Sequence, residues 1–143
     1  MDKVIVKEQM NKSTDVMWKL ITELDHMKHW FFDNIPDFKP EVGFKTEFIV
    51  VSDSRTFLHS WEIVEVIKGK MIIYKWRYPE YSEKDSRVSF VLDKSFEGNT
   101  ELTIIAEGIS NFPSEIPEFT YESCKAGWTY FIRRLKEYSQ AIY

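Results

Sequence analysis

Residues 118–142, EFTYESCKAGWTYFIRRLKEYSQAI, decide how the rest of the chain is read. Tyr121, Cys124, Trp128, Phe131, Leu135, Tyr138 and Ile142 recur at alternating steps of three and four, the repeat of a helix with one apolar stripe. The spacing predicts one long helix from about Glu118 to Ala141. Arg133, Arg134 and Lys136 lie toward its C-terminal end, where positive charge suits the helix dipole. Gly127 costs such a helix roughly 1 kcal/mol relative to Ala, which predicts a neighbour packed too close for a side chain. A stripe of this length needs an apolar surface to lie on, and the preceding residues supply it.

From Gly43 the apolar period becomes two. Residues 44–51 put Phe44, Thr46, Phe48 and Val50 on one face; residues 56–67 form a long second strand. Lys68-Gly69-Lys70 turns into 71–78, where Ile72, Tyr74 and Trp76 oppose Lys75 and Arg77. Residues 87–96 align Val88, Phe90 and Leu92, and residues 100–107 align Leu102, Ile104 and Ala106. All five prolines fall outside these runs, as a hydrogen-bonded sheet requires. Consecutive strands with short turns predict an antiparallel meander. Upstream lie a first strand over 3–9, a helix starting at Ser13-Thr14-Asp15, and a short second helix from Asp25 to Phe32. The expected class is α+β, with a sheet burying its apolar face on the last helix.

The 143 residues suit one domain spanning 1–143. Charge alternates in sign to a net −4, without the basic stripe that phosphate contacts demand, so nucleic acid is set aside. A single cysteine, Cys124, can form neither an internal disulfide nor a cysteine zinc site. No apolar run approaches the roughly 20 residues of a membrane helix, and the start at Met1-Asp2-Lys3-Val4 lacks a secretion layout. The expectation is a cytoplasmic domain with no membrane insertion. Eleven Phe, seven Tyr and five Trp make 16% of the chain aromatic, which predicts a bulky core able to enclose a pocket.

The candidate ligand-binding residues are Trp30, Phe48, His59, Trp61, Tyr74, Trp76, Phe90, Tyr121 and Trp128, a set able to hold a small hydrophobic molecule. Against each stands the plainer role of core filler. His59 shares a face with Phe57, Trp61 and Ile63, but Leu58, Val64 and Val66 make the other face apolar too. An ordinary surface position is the first reading for His59, and a polar group inside a pocket is the alternative. His26 and His29 share a helical face near Asp25 and Asp33, yet spacing fixes no third ligand, so no metal is predicted and a solvated polar face is expected. Cys124 sits in the apolar stripe without a basic partner and reads as a small hydrophobe. Glu47, Glu62, Glu65, Glu101 and Glu107 alternate with apolar residues and are expected to face water. No phosphate loop, nucleophile elbow or two-histidine zinc motif is present. No catalytic residue and no cofactor are predicted.

Several segments, in this order, carry a family resemblance: Val16-Met17-Trp18 with Leu20-Ile21-Thr22, Leu24 with Trp30-Phe31, and Phe38-Lys39-Pro40 to Gly43-Phe44. Glu65-Val66 to Ile72-Ile73-Tyr74-Lys75-Trp76, Thr100 to Ile104, and Gly127-Trp128 complete it. The chain resembles bacterial proteins grouped with the C-terminal domain of the heat-shock protein 90 ATPase activator, within the START-like or helix-grip superfamily. Polyketide cyclases, lipid-transfer domains and the birch pollen allergen share that superfamily. The resemblance implies a curved sheet gripping the last helix with a cavity between them. It implies a small hydrophobic or aromatic ligand, a chaperone partner, or cyclase or hydrolase chemistry in the same cavity with a group such as His59. Ala106 stands where many members carry a histidine or other polar residue, so no polar contact is expected from it.

Overall fold

The computed structural model describes residues 2–142. Strand β1 (Lys3–Met10) is followed by helices α1 (Thr14–Thr22) and α2 (Leu24–Trp30). Five strands come next: β2 (Lys45–Ser52), β3 (Arg55–Ile67), β4 (Met71–Arg77), β5 (Asp85–Lys94) and β6 (Thr100–Glu107). Helix α3 (Tyr121–Ile142) ends the chain. The strands form one antiparallel curved sheet in the order β1-β6-β5-β4-β3-β2, with α3 against it. This is the expected meander, with β1 returning to pair with β6.

Local chemistry sets the helix boundaries. Ser13 caps α1 through Oγ, which accepts from the Val16 amide at 3.3 Å. A single residue, Glu23, separates α1 from α2, and the Trp30 indole ties the pair by donating to the Leu20 carbonyl at 2.8 Å. Helix α2 stops at Trp30 because Phe31 leaves the helical region, at φ −106 and ψ −139, and turns its ring into the core. The last helix starts at Tyr121, three residues later than its periodicity predicts. Pro117–Phe119 form a separate 3-10 turn, and Thr120 is extended and caps α3 by accepting from the Ser123 amide at 3.2 Å. Strand β5 likewise ends at Lys94, short of residue 96, because Phe96–Gly98 make a tight turn with Glu97 at φ +61.

The most buried residues of α3 are Trp128, Ile132, Leu135 and Ser139, while Tyr121, Cys124, Phe131, Tyr138 and Ile142 flank this line half-buried. The expected stripe is therefore rotated toward Ile132. The C-terminal half of α3 is held tightly. Lys136 reaches Glu8 of β1 at 2.7 Å, Arg134 donates to the His29 carbonyl at 2.9 Å, and His26 Nδ1 meets the Tyr138 hydroxyl at 2.7 Å.

In β3 the inward residues are Phe57, His59, Trp61 and Ile63; a bulge before Glu65 then shifts the register, and Val66 turns inward opposite Ile72. One extra residue thus switches the inward face midway along the strand. Strand β2 is one border of the sheet, with Ile49 and Val51 exposed. On that border the Asn34 amide donates to the Ile49 carbonyl at 2.7 Å.

Beside the main core, Phe57, Phe112 and Phe119 form a second aromatic cluster with Tyr78 and Tyr81 at its edge. It fixes the segment between β6 and α3 over one end of the sheet. Hydrogen bonds from the Ser110 amide to Asp2 (2.9 Å) and from the Asn111 amide group to the Asp85 carbonyl (2.8 Å) hold the same segment.

Candidate functional site

Most of the space between sheet and helix is solid. Trp30, Trp61, Tyr74 and Phe90 are all at most 1% exposed and pack ring against ring. Trp30 stacks on Phe31 at 4.6 Å, Trp61 lies 4.8 Å from Trp76, and Tyr74 stacks on Phe38 at 5.8 Å. Phe48 is buried behind His59, stacked on its imidazole at 5.3 Å. Tyr121, half-buried against the core at the start of α3, only borders a broad depression framed by that helix's own solvent-facing side chains. A single helix cannot enclose a molecule, so that depression is larger without being a receptor site.

A hollow does remain where the N-terminal half of α3 lifts from the sheet. Its volume is about 150 Å³. The sheet supplies His59 and Trp76, and Tyr78 follows the end of β4; α3 supplies Cys124, Gly127, Trp128 and Phe131; Phe32 and the β6–α3 segment complete it. A smaller space of about 50 Å³ shares Trp76, Tyr78 and Trp128 and is closed by Val88 and Ala106. Of the nine expected residues, the hollow brings together His59, Trp76 and Trp128.

Gly127 explains the room. A Cβ built there meets nothing within 4 Å. The neighbour expected to crowd this position is absent, and the helix is bare at this point because it faces empty space. Sequence pattern does not single out Phe32, Tyr78, Phe131 or Glu118 as site residues. Phe32 and Phe131 sit at an irregular helix end and on the flank of a stripe, and periodicity counts Glu118 into a helix that starts later.

The polar groups of the hollow are few. His59 is 5% exposed, which corrects the surface reading. Its Nδ1 lies 3.1 Å from the Phe57 carbonyl, and since a carbonyl can only accept, Nδ1 carries the proton. Burial lowers the His59 pKa to about 4, against the opposing pull of the Phe57 bond, so the ring is neutral at pH 7 with Nε2 as an acceptor. Glu118 accepts from the Ser52 hydroxyl at 3.0 Å through Oε2, while its buried Oε1 has no hydrogen bond and the Arg55 guanidinium stands 3.6 Å away. The Trp76 indole N–H is buried beside the Tyr78 phenol without a hydrogen bond of good geometry. Burial raises the Cys124 thiol to about 11, with Trp128 opposing, so it is neither thiolate nor nucleophile. Burial likewise holds the Tyr78 phenol well above its ordinary value.

The two α2 histidines do not converge on a common point. His26 bonds to Tyr138 and His29 stacks on the same ring at 5.0 Å. Both meet Tyr138 of α3; His29 is solvent-exposed, as expected, while His26 is half-buried. Among the described residues no group of three His, Cys, Asp or Glu could hold a metal. Of the five alternating glutamates, Glu107 pairs with Lys3 at 3.0 Å and reaches the rim of the smaller space.

A curved sheet closed on a C-terminal helix, with two short helices after the first strand, defines a START-like helix-grip protein. The chain belongs to the family described as Activator of Hsp90 ATPase homolog 1-like protein, whose model matches residues 11–140. Protein MLL2253 of Mesorhizobium loti shares the fold at 24% identity and a TM-score of 0.80, over 99% of this chain and 98% of that one. An HSP90 activator from Plasmodium falciparum does so at 19% identity and 0.72, over 96% and 95%. The Aha1 dimer from Colwellia psychrerythraea matches at 17% and 0.74, over 99% and 98%. No curated protein matches the chain. No helix among the described residues is long and apolar enough to cross a membrane.

Proposed function

We propose that the protein binds a small, largely apolar aromatic molecule between its sheet and the N-terminal half of α3. The observation that carries this reading is the hollow of about 150 Å³ beside Gly127, walled by Trp76, Trp128, Phe131 and Phe32. A space of that size takes one benzene-sized ring, and an apolar lining with a few polar groups is the usual composition of a small-molecule site. Two tryptophans in the wall make their own fluorescence the reporter. Titration with single-ring aromatics should quench it saturably, and native mass spectrometry of the purified protein should show a bound compound of low mass. A flat titration with every ring tested, and no retained mass, would sink the reading.

A second reading follows from the family's description and from the Plasmodium neighbour, which is itself an HSP90 activator. Here the chain would act on a heat-shock protein 90 partner. A pull-down with that chaperone, followed by its ATPase rate with and without this protein, tests it. An unchanged rate dismisses the second reading and leaves the first intact.

A further inference from the structure

Three polar groups line the hollow with hydrogen-bonding capacity to spare, and together they describe what would complete them. The Trp76 N–H is buried beside the Tyr78 phenol without a hydrogen bond of good geometry, and Glu118 Oε1 is a buried acceptor whose contact is the Arg55 guanidinium at 3.6 Å. His59, with its proton fixed on Nδ1 toward Phe57, keeps Nε2 as a second acceptor. Unpaired buried groups are costly, so a ligand that satisfies them gains more than its apolar area alone would give. Size allows one ring. Charge excludes an anion: Glu118 is the acid at the hollow, and the cation nearest to it, Arg55, is already engaged at 3.6 Å. A hydroxyl is the small neutral substituent that both donates and accepts.

From this juxtaposition we infer that the hollow selects neutral monocyclic phenols, the hydroxyl accepting from Trp76 and donating to Glu118 or His59. The inference rests on the receptor reading above and adds the chemical class of the guest. It also gives Glu118 a role: the carboxylate discriminates among rings of equal size.

Phenol, toluene and benzoate make the test, because the first two have the same number of heavy atoms and differ in the hydroxyl. Calorimetric titration of the intact chain should give phenol an affinity about tenfold above toluene, the worth of one charge-assisted hydrogen bond, with benzoate not binding. Glu118→Gln should weaken phenol several-fold, leave toluene unchanged and admit benzoate. Trp76→Phe should bring phenol down toward toluene. Should that variant not fold, the indole proton of Trp76 in the wild type answers instead, shifting with phenol and staying still with toluene. Toluene binding as tightly as phenol would overturn the phenol assignment while leaving the receptor in place. If none of the three binds, the receptor reading falls and this inference goes with it.

Discussion

His59 donates its Nδ1 proton to the carbonyl of Phe57, two residues earlier on the same strand, at 3.1 Å. The bond holds the imidazole with one fixed tautomer beneath the ring of Phe48. Burial makes a second proton costly despite this bond, because it has removed the water that would solvate the cation.

That burial sets a pH dependence. The His59 pKa is lowered from 6.5 to about 4, so the unfolded chain takes up a proton first as pH falls. Stability from this group is complete above about pH 6.5, declines between there and pH 4, and levels off below. The loss is on the order of 3 kcal/mol, because each tenfold difference in proton affinity between folded and unfolded chain is worth about 1.4 kcal/mol. Urea unfolding of wild type and His59→Gln at a series of pH values should show the gap between them changing by this amount across that window. Parallel curves would refute it.

Gly127→Ala should stabilise the protein and weaken binding together. The methyl meets nothing within 4 Å, so the helix gains up to about 1 kcal/mol, while the hollow loses part of its volume. A raised melting temperature with lower affinity for any single-ring ligand is expected. A lowered melting temperature would mean the position is crowded after all.

Gly108→Ala should act in the opposite sense. Gly108 has φ +96, and its added Cβ would lie 3.2 Å from the Ser86 Cα, a backbone atom that cannot step aside. Asn111, equally close, is held by the Asp85 carbonyl. Strain and crowding together should cost about 2 kcal/mol in denaturant unfolding, and a loss below a few tenths would contradict this.

Trp30→Phe and Trp128→Phe should separate core from receptor. Trp30 is fully buried and bonded to Leu20, so its truncation should cost about 2–3 kcal/mol of stability without altering ligand affinity. Trp128 lines the hollow, and its truncation should change affinity as well. Thermal melts and fluorescence titrations on both variants decide the matter.

The order of elements and most inward faces are legible in the chain because period-two and period-3.6 patterns report burial directly. Ile72, Tyr74 and Trp76 on β4, and Val88, Phe90 and Leu92 on β5, face inward as their alternation implies. Where alternation fails at Val66, a physical irregularity stands behind it: the bulge before Glu65 turns that residue inward. The aromatic excess points to a pocket lining, yet most of those rings fill the core, because side-chain type does not say whether a neighbour occupies the space opposite. Glu118 is illegible for a different reason. Its place depends on Ser52 and Arg55, 66 and 63 residues away in the chain, and on a helix that starts late.

The Asn34 carboxamide on the outer border of β2 has a consequence for how copies of the chain meet. Bare sheet borders with protruding Ile49 and Val51 invite edge-to-edge stacking into ribbons. By occupying the Ile49 carbonyl, Asn34 removes one rung from any such ladder before a second molecule arrives.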